Sequence, residues 1–167
     1  AAGEVAVGST EAIKATVKPA KTKVTYTTSD EKIATVDAKG VVTGVAAGDV
    51  TITVKAGKTT KTVNMTVKKA ILKSADQTEY NKIEAVIVGD TKDMKAGDIK
   101  VTNTATKATV AVKSVAAKKG AENTFVIETF TGMTDAKEYS VEYAGATAVF
   151  TATDNTVAKV ALTKTEV

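Results

Sequence analysis

The stretch VTYTTSDEKIATVDAKGVVTGVAAGDVTITV, residues 24–54, decides the fold of this chain. Val50, Ile52 and Val54 alternate with Thr51, Thr53 and Lys55, the period-2 pattern of a strand with one face on a core and the other in water. Upstream, Val24, Tyr26 and Thr28 form a second candidate face. Residues 33–36 and 41–43 flank Asp37-Ala38-Lys39-Gly40, in which Asp starts a turn and Gly takes the positive φ that closes a bulged hairpin.

Outward from this stretch the pattern continues. Ile13, Ala15 and Val17 alternate with Lys14, Thr16 and Lys18 and predict a strand ended at Pro19, which has no ladder donor. After Ala56-Gly57-Lys58, Val63, Met65 and Val67 alternate with Thr62, Asn64, Thr66 and Lys68. Six or seven short strands at regular turn spacing predict a sandwich.

Composition points the same way. The 167 residues include 24 Val and 30 Thr but only 2 Leu, a bias toward β-branched side chains that suit a pleated surface and are stiff in a helix. The reading is all-β. No His, Cys, Trp or Arg is present, so all 23 basic residues are Lys. The commonest general base, the thiolate nucleophile and the usual zinc and copper ligands are thereby missing, and catalysis by this chain is not expected. Without Arg there is no bidentate fork for phosphate or bases, and the longest basic runs, Lys68-Lys69 and Lys118-Lys119, are pairs. Nucleic acid is excluded as a partner on these grounds.

No stretch reaches the roughly 18 apolar residues of a membrane span, so no membrane insertion is expected. Ala1-Ala2-Gly3-Glu4 lacks the charged and apolar regions of a signal peptide, and the chain reads as a soluble excerpt of something longer. Absence of Cys does not argue for the cytosol, because an extracellular sandwich can rely on its core in place of disulfides. The net charge of +4 divides unevenly: residues 1–69 hold 11 Lys and 6 acids, residues 70–167 hold 12 Lys and 13 acids. The basic half is open to an anionic partner such as a wall polymer, or carries a solvated surface of lysines.

Val7-Gly8, Ala15-Thr16-Val17-Lys18-Pro19, Tyr26-Thr27-Thr28-Ser29-Asp30, Ile33-Ala34-Thr35-Val36-Asp37, Gly40-Val41-Val42-Thr43-Gly44 and Gly48-Asp49-Val50-Thr51-Ile52-Thr53 together resemble the bacterial Ig-like group 2 module, Big2. The resemblance covers about residues 5–68 and departs from the pattern at Tyr26, where many members carry Trp. Tyr can fill such a core position with its hydroxyl at the rim.

The second half begins at Lys69-Ala70 without a Gly/Ser linker, which predicts a short, stiff junction. Ile83, Ala85 and Ile87, with Val86 and Val88 on the other face, predict a strand covered on both sides whose ends reach the first domain. Further strands are expected at 99–103, 109–115, 124–130, 138–143 and 146–151, the last two joined by a two-residue turn at Ala144-Gly145. Tyr139, following Gly132-Met133-Thr134-Asp135 and opening an alternating strand, has the placement of a tyrosine corner, a structural hydrogen-bonding role. Through Gly97-Asp98-Ile99-Lys100-Val101-Thr102-Asn103 and Ala136-Lys137-Glu138-Tyr139-Ser140-Val141, residues 70–155 are similar to the Ig-like domains of Gram-positive surface-layer proteins.

The expected division is therefore residues 1–68, a group 2 Ig-like domain; 69–155, a second Ig-like domain; and 156–167, a linker or the first strand of a following domain, with Val157, Val160 and Leu162 as its apolar positions. The fold class is all-β, two tandem immunoglobulin-like β-sandwiches.

Candidate chemistry is sparse. Asp90, Asp93 and Asp98 put three carboxylates in one loop and form a candidate calcium site, since calcium takes several oxygen ligands from a flexible backbone. The interleaved Lys92 and Lys95 weaken it, the spacing is not that of an EF-hand, and a solvated turn-forming loop is the alternative. Ser29-Asp30-Glu31 reads as a turn, and Glu128, Glu138 and Glu142 as strand-surface residues that sequence cannot set at glycosidase spacing. With 3 Phe and 4 Tyr for two cores, few aromatics remain for a sugar platform.

The resemblance implies an extracellular, cell-surface role: a structural component of a bacterial surface layer, with neighbouring copies of the same parent as partners, no required cofactor and calcium as an optional ion. The same modules serve as spacers of surface adhesins or of secreted wall-active enzymes, whose catalytic part would then lie outside this chain.

Overall fold

In a computed structural model, the described residues are 3–18 and 22–153. They form fifteen strands in four sheets, with one 3-10 turn at Ala96–Asp98 and no α-helix among them. The linker or first strand of a following domain expected at 156–167 lies outside the described residues.

The first sandwich faces a four-stranded sheet against a three-stranded one. The larger holds β1 (Gly3–Ala6), β7 (Thr59–Lys68), β6 (Gly48–Ala56) and β3 (Val24–Thr28) in that order, β1 parallel to β7 and the rest antiparallel. The smaller orders β2 (Thr10–Ala12), β5 (Val41–Gly44) and β4 (Ala34–Val36). The alternation in β6 acts as the pattern dictates: Val50, Ile52 and Val54 are buried while Asp49 and Lys55 are exposed. Val5, Ala34, Val42, Val50, Ile52, Met65 and Val67 close this core. Burying such aliphatic side chains is worth about 1.5–3 kcal/mol each.

Hairpin β4–β5 is built by its turn. Asp37 Oδ1 accepts the Lys39 and Val41 backbone N–H groups at 2.8 and 2.9 Å, and Gly40 takes φ 84°. A Cβ at Gly40 would stand 2.8 Å from the Tyr26 ring and from the Ile13 carbonyl, so glycine is required twice over, by φ and by close approach. Tyr26 is half-buried against this turn and is not among the residues of the first core, where the sequence pattern puts it.

The expected strand at residues 13–17 is not a ladder. The paired strand lies just before it, at β2, and after the Ile13 N–H reaches the Gly40 carbonyl at 2.9 Å the segment joins no strand ladder among the described residues, although its side chains still alternate between half-buried and exposed. Alternating burial requires only an extended backbone on a surface, not a partner strand.

In the second sandwich one sheet orders β12 (Val112–Ala117), β13 (Thr124–Thr129), β9 (Lys82–Gly89) and β8 (Ala70–Glu79). The facing sheet orders β11 (Thr109–Val110), β10 (Lys100–Asn103), β14 (Glu138–Tyr143) and β15 (Ala146–Thr151). Ile83, Ala85, Ile87, Val101, Ile127 and Val141 are fully or almost fully buried between them. The predicted strand at 109–115 divides at Ala111: Val110 pairs with Val101 in one sheet and Val112 with Thr129 in the other. The β14–β15 turn has both Ala144 and Gly145 at positive φ, 51° and 78°, the geometry that a two-residue hairpin needs.

Candidate functional site

The structure places the predicted site residues on one side of the junction between the sandwiches, and the junction is the natural starting point. β7 ends at Lys68 and β8 starts at Ala70, leaving one residue between them. The Val7 N–H donates to the Lys68 carbonyl at 2.9 Å and the Asp90 N–H to the Lys69 carbonyl at 2.8 Å, so main-chain bonds from both sandwiches hold the connecting residues. Gly89 has φ 116°, and a Cβ there would lie 2.5 Å from the Lys69 carbonyl and 3.1 Å from the Ala6 Cβ. Only glycine fits where β9 closes on the junction. Glu4 and Lys68 add an ion pair at 2.8 Å. The outer face of β9, Val86 and Val88, is half-buried as expected.

The loop of Asp90, Asp93 and Asp98 leaves β9 at this point. Asp90 Oδ1 accepts the Lys92 N–H at 3.3 Å, and Asp98 Oδ2 accepts the Lys95 N–H at 2.8 Å, the back half of a capping box on the 3-10 turn. Asp93 faces Lys69, Oδ2 to Nζ 3.4 Å, across the junction. Each carboxylate thus serves the loop or a lysine, and among the described residues no group of three or more acidic side chains is gathered that could hold a metal ion.

Beside this loop lies a cleft of about 380 Å³ lined by Lys69, Asp93, Met94, Asp98, Tyr143 and Ala144. Tyr143, at the end of β14, is 8% exposed. Burial raises its hydroxyl pKa, and the Asp98 and Asp90 carboxylates raise it further while Lys69 opposes them, so the group stays protonated. Sequence reading missed Tyr143; only the fold brings it to Asp98.

The other candidates are structural. Asp30 Oδ1 accepts the Lys32 N–H at 2.8 Å, making Ser29-Asp30-Glu31 a turn. Glu128 pairs with Lys113 at 2.9 Å and accepts from Ser114; the Lys113 contact above all holds its carboxyl below the ordinary range, against an opposing effect of burial. Glu138 accepts from Thr104 at 2.8 Å on the facing sheet, and Glu142 is exposed on that same strand, so the fold separates Glu128 from both. Tyr139 accepts the Thr134 N–H at 2.9 Å, as a tyrosine corner does, and stacks on Phe150 with ring centres 6.0 Å apart. Burial works to raise its pKa, but hydrogen bonds from Thr134 and Asn103 outweigh it and the net direction is down. Of the aromatics, Tyr80 and Phe130 are well exposed. No helix among the described residues is long and apolar enough to cross a membrane.

No curated protein sequence matches the chain. Among solved structures it is similar to the N-terminal part of the bacterial S-layer protein SbsC, with TM-score 0.45 and 16% identity over 51% of this chain and 24% of that one. It is also similar to SbsC domains 5–6, with TM-score 0.31 and 21% identity over 92% and 94% of the two chains. Drosophila OTK extracellular domains 3–5 give TM-score 0.39 and 11% identity over 89% and 57%. The chain spans about a quarter of the first of these. Residues 2–67, which span the first sandwich, match the family described as bacterial Ig-like domain (group 2), in keeping with its Ig-like β-sandwich fold.

Proposed function

We propose that this chain is a structural part of a bacterial surface layer: two Ig-like modules, residues 1–68 and 69–155, with 156–167 linking to or opening a following one, that build a cell-envelope lattice with neighbouring copies of the parent protein. The observation that carries the reading is the junction, where one residue separates β7 from β8 and main-chain bonds from both sandwiches hold it. A lattice needs modules whose mutual orientation is fixed, and a bonded one-residue junction supplies that where a Gly/Ser linker would not. The group 2 Ig-like match of the first sandwich supports a bacterial cell-surface setting. Its 11 Lys against 6 acids through residue 69 supports contact with an anionic wall polymer as an anchor. The role is structural and not catalytic, since the chain holds no His, Cys or Arg and its loop carboxylates are engaged in turns and an ion pair.

Electron microscopy of the full-length parent, with and without added calcium, tests this reading. Regular two-dimensional sheets are expected in at least one ion condition. Dispersed particles in every condition would leave the spacer reading, in which the same junction extends an adhesin or a wall-active enzyme without lateral order.

A further inference from the structure

β8 starts at the junction and ends at Glu79, and at that far end the second sandwich presents aromatic surface. The chain has only three Phe and four Tyr, yet Tyr80, in the β8–β9 turn, is 52% exposed and Phe130, just after β13, is 68% exposed. Their two segments are bonded to each other. The Met133 N–H donates to the Tyr80 carbonyl at 3.1 Å, the Thr129 N–H to the Asn81 carbonyl at 2.9 Å, and the Asn81 side-chain amide to the Thr129 carbonyl at 3.1 Å. A Cβ at Gly132 would overlap the phenol end of the Tyr80 ring, so the ring lies directly against this glycine and is held there. Single apolar side chains scattered over a surface are ordinary; two large ones fixed at one end mark a contact surface.

The chain leaves the described fold at this same end. Past β15, the Ala136 N–H donates to the Ala152 carbonyl at 2.9 Å and the Ala152 N–H to the Lys137 carbonyl at 2.8 Å. The Thr153 N–H then donates to Gln77 Oε1 at 2.8 Å, and the Gln77 amide nitrogen donates in turn to the Glu79 and Tyr80 carbonyls at 3.0 and 3.3 Å. One side chain therefore ties the exit to the turn that carries Tyr80. The sequence continues with Val157, Val160 and Leu162, the last being one of only two leucines in the chain. Four residues of extended backbone span at most about 14 Å, so Val157 follows the exit closely.

We propose that the far end of the second sandwich, with Tyr80 and Phe130, is a docking surface for the chain's own residues 154–167. Ala158, Val160 and Leu162 recur at every second position, the spacing that gives an extended segment one apolar face, and the aromatic pair supplies apolar surface for that face to cover. The exit fixes the choice of occupant. A segment tethered at Thr153 meets the surface at an effective concentration on the order of millimolar, whereas a second copy must first overcome the loss of its translational and rotational freedom. The arrangement repeats the logic of the first junction, where main-chain bonds hold the outgoing residues at Lys68 and Lys69 beside Ala6 and Gly89. It serves a lattice and a spacer equally and rests on neither reading.

The test is nuclear Overhauser spectroscopy of the whole 167-residue chain with leucine methyls labelled. Only two leucines report: Leu72, buried in the second core, serves as the control for folding, and Leu162 as the probe. The Leu162 methyls are expected to show contacts to the Phe130 or Tyr80 ring protons and to be displaced by the ring currents. Phe130→Ser removes an exposed side chain, so the Leu72 methyls should stay in place while the Leu162 methyls return to the position of a free leucine. Amide exchange at Leu162 should be about tenfold faster in that variant than in the native chain, as loss of one aromatic contact allows. Leu162 methyls at the free position in the native chain, or methyl signals and exchange that Phe130→Ser leaves unchanged, would overturn the proposal. So would ring contacts that arise only between differently labelled copies, which would assign the surface to a second molecule, or saturable shifts of the Phe130 and Gly132 amides by chitotetraose with Leu162 still free, which would assign it to a glycan.

Discussion

Tyr139 shows how a single side chain ties this fold together. Its hydroxyl receives the Thr134 N–H at the bend before β14, while its ring, 4% exposed, stacks on Phe150 across the β14–β15 hairpin. Tyr139→Phe keeps the ring and strands the Thr134 donor, so unfolding of the second sandwich by urea should be easier by about 1–3 kcal/mol. No change in the midpoint would mean that the bond contributes nothing. This role was legible in the sequence because a tyrosine corner is a local pattern. Tyr143, four residues on, was not legible: nothing near it in sequence announces that Asp98 and Lys69 will surround it, since that meeting depends on β10 pairing with β14. The same limit applied to Asp90, Asp93 and Asp98, where the loop was visible and the way it spends its carboxylates on Lys92, Lys69 and Lys95 was not.

Among the elements, hairpin β4–β5 rests on an acid. The Val41 N–H, against an opposing effect of desolvation, and then the Lys39 N–H and its charge hold the Asp37 carboxyl below its ordinary value. A carboxyl depressed by folding contributes stability that is present above its unfolded pKa, about 4, and is lost as pH falls through the lower folded value. Comparing urea midpoints of the native chain and Asp37→Asn along a pH series, the advantage of the native chain should be present at neutral pH and shrink on acidification. An advantage that grew toward low pH would contradict the assignment. Because the group is fully exposed, added salt should reduce the part that comes from the Lys39 charge.

Elements with clean period-2 alternation, β6, β9 and β14, were readable from residues alone. Two others were not. β8 buries Ala70, Ile71 and Leu72 in succession and shifts register between Leu72 and Ser74 and again between Gln77 and Glu79, so no alternation survives. In β1, Val5 enters the core while its neighbour Ala6 is buried against Gly89 at the junction, which hides both faces. The strand at 109–115 read as one because crossing from one sheet to its facing partner keeps Val110 and Val112 turned to the same core.

For the molecule as a whole, the central claim is that the two sandwiches form one fixed unit. The claim rests on a one-residue connection, the Val7–Lys68 and Asp90–Lys69 main-chain bonds, and the close passage of Gly89. Gly89→Ala would set a Cβ 2.5 Å from the Lys69 carbonyl at a φ of 116° that L side chains rarely adopt, so the junction must open for it to fit. Each sandwich keeps its own core in that variant, and the change should appear in their mutual orientation more than in either fold. Residual dipolar couplings of the backbone amides, measured in weakly aligned native chain, report this directly. The account predicts that couplings from strands β1–β7 and β8–β15 fit a single alignment tensor in the native chain and two distinct tensors in Gly89→Ala; two tensors of different magnitude in the native chain would contradict it.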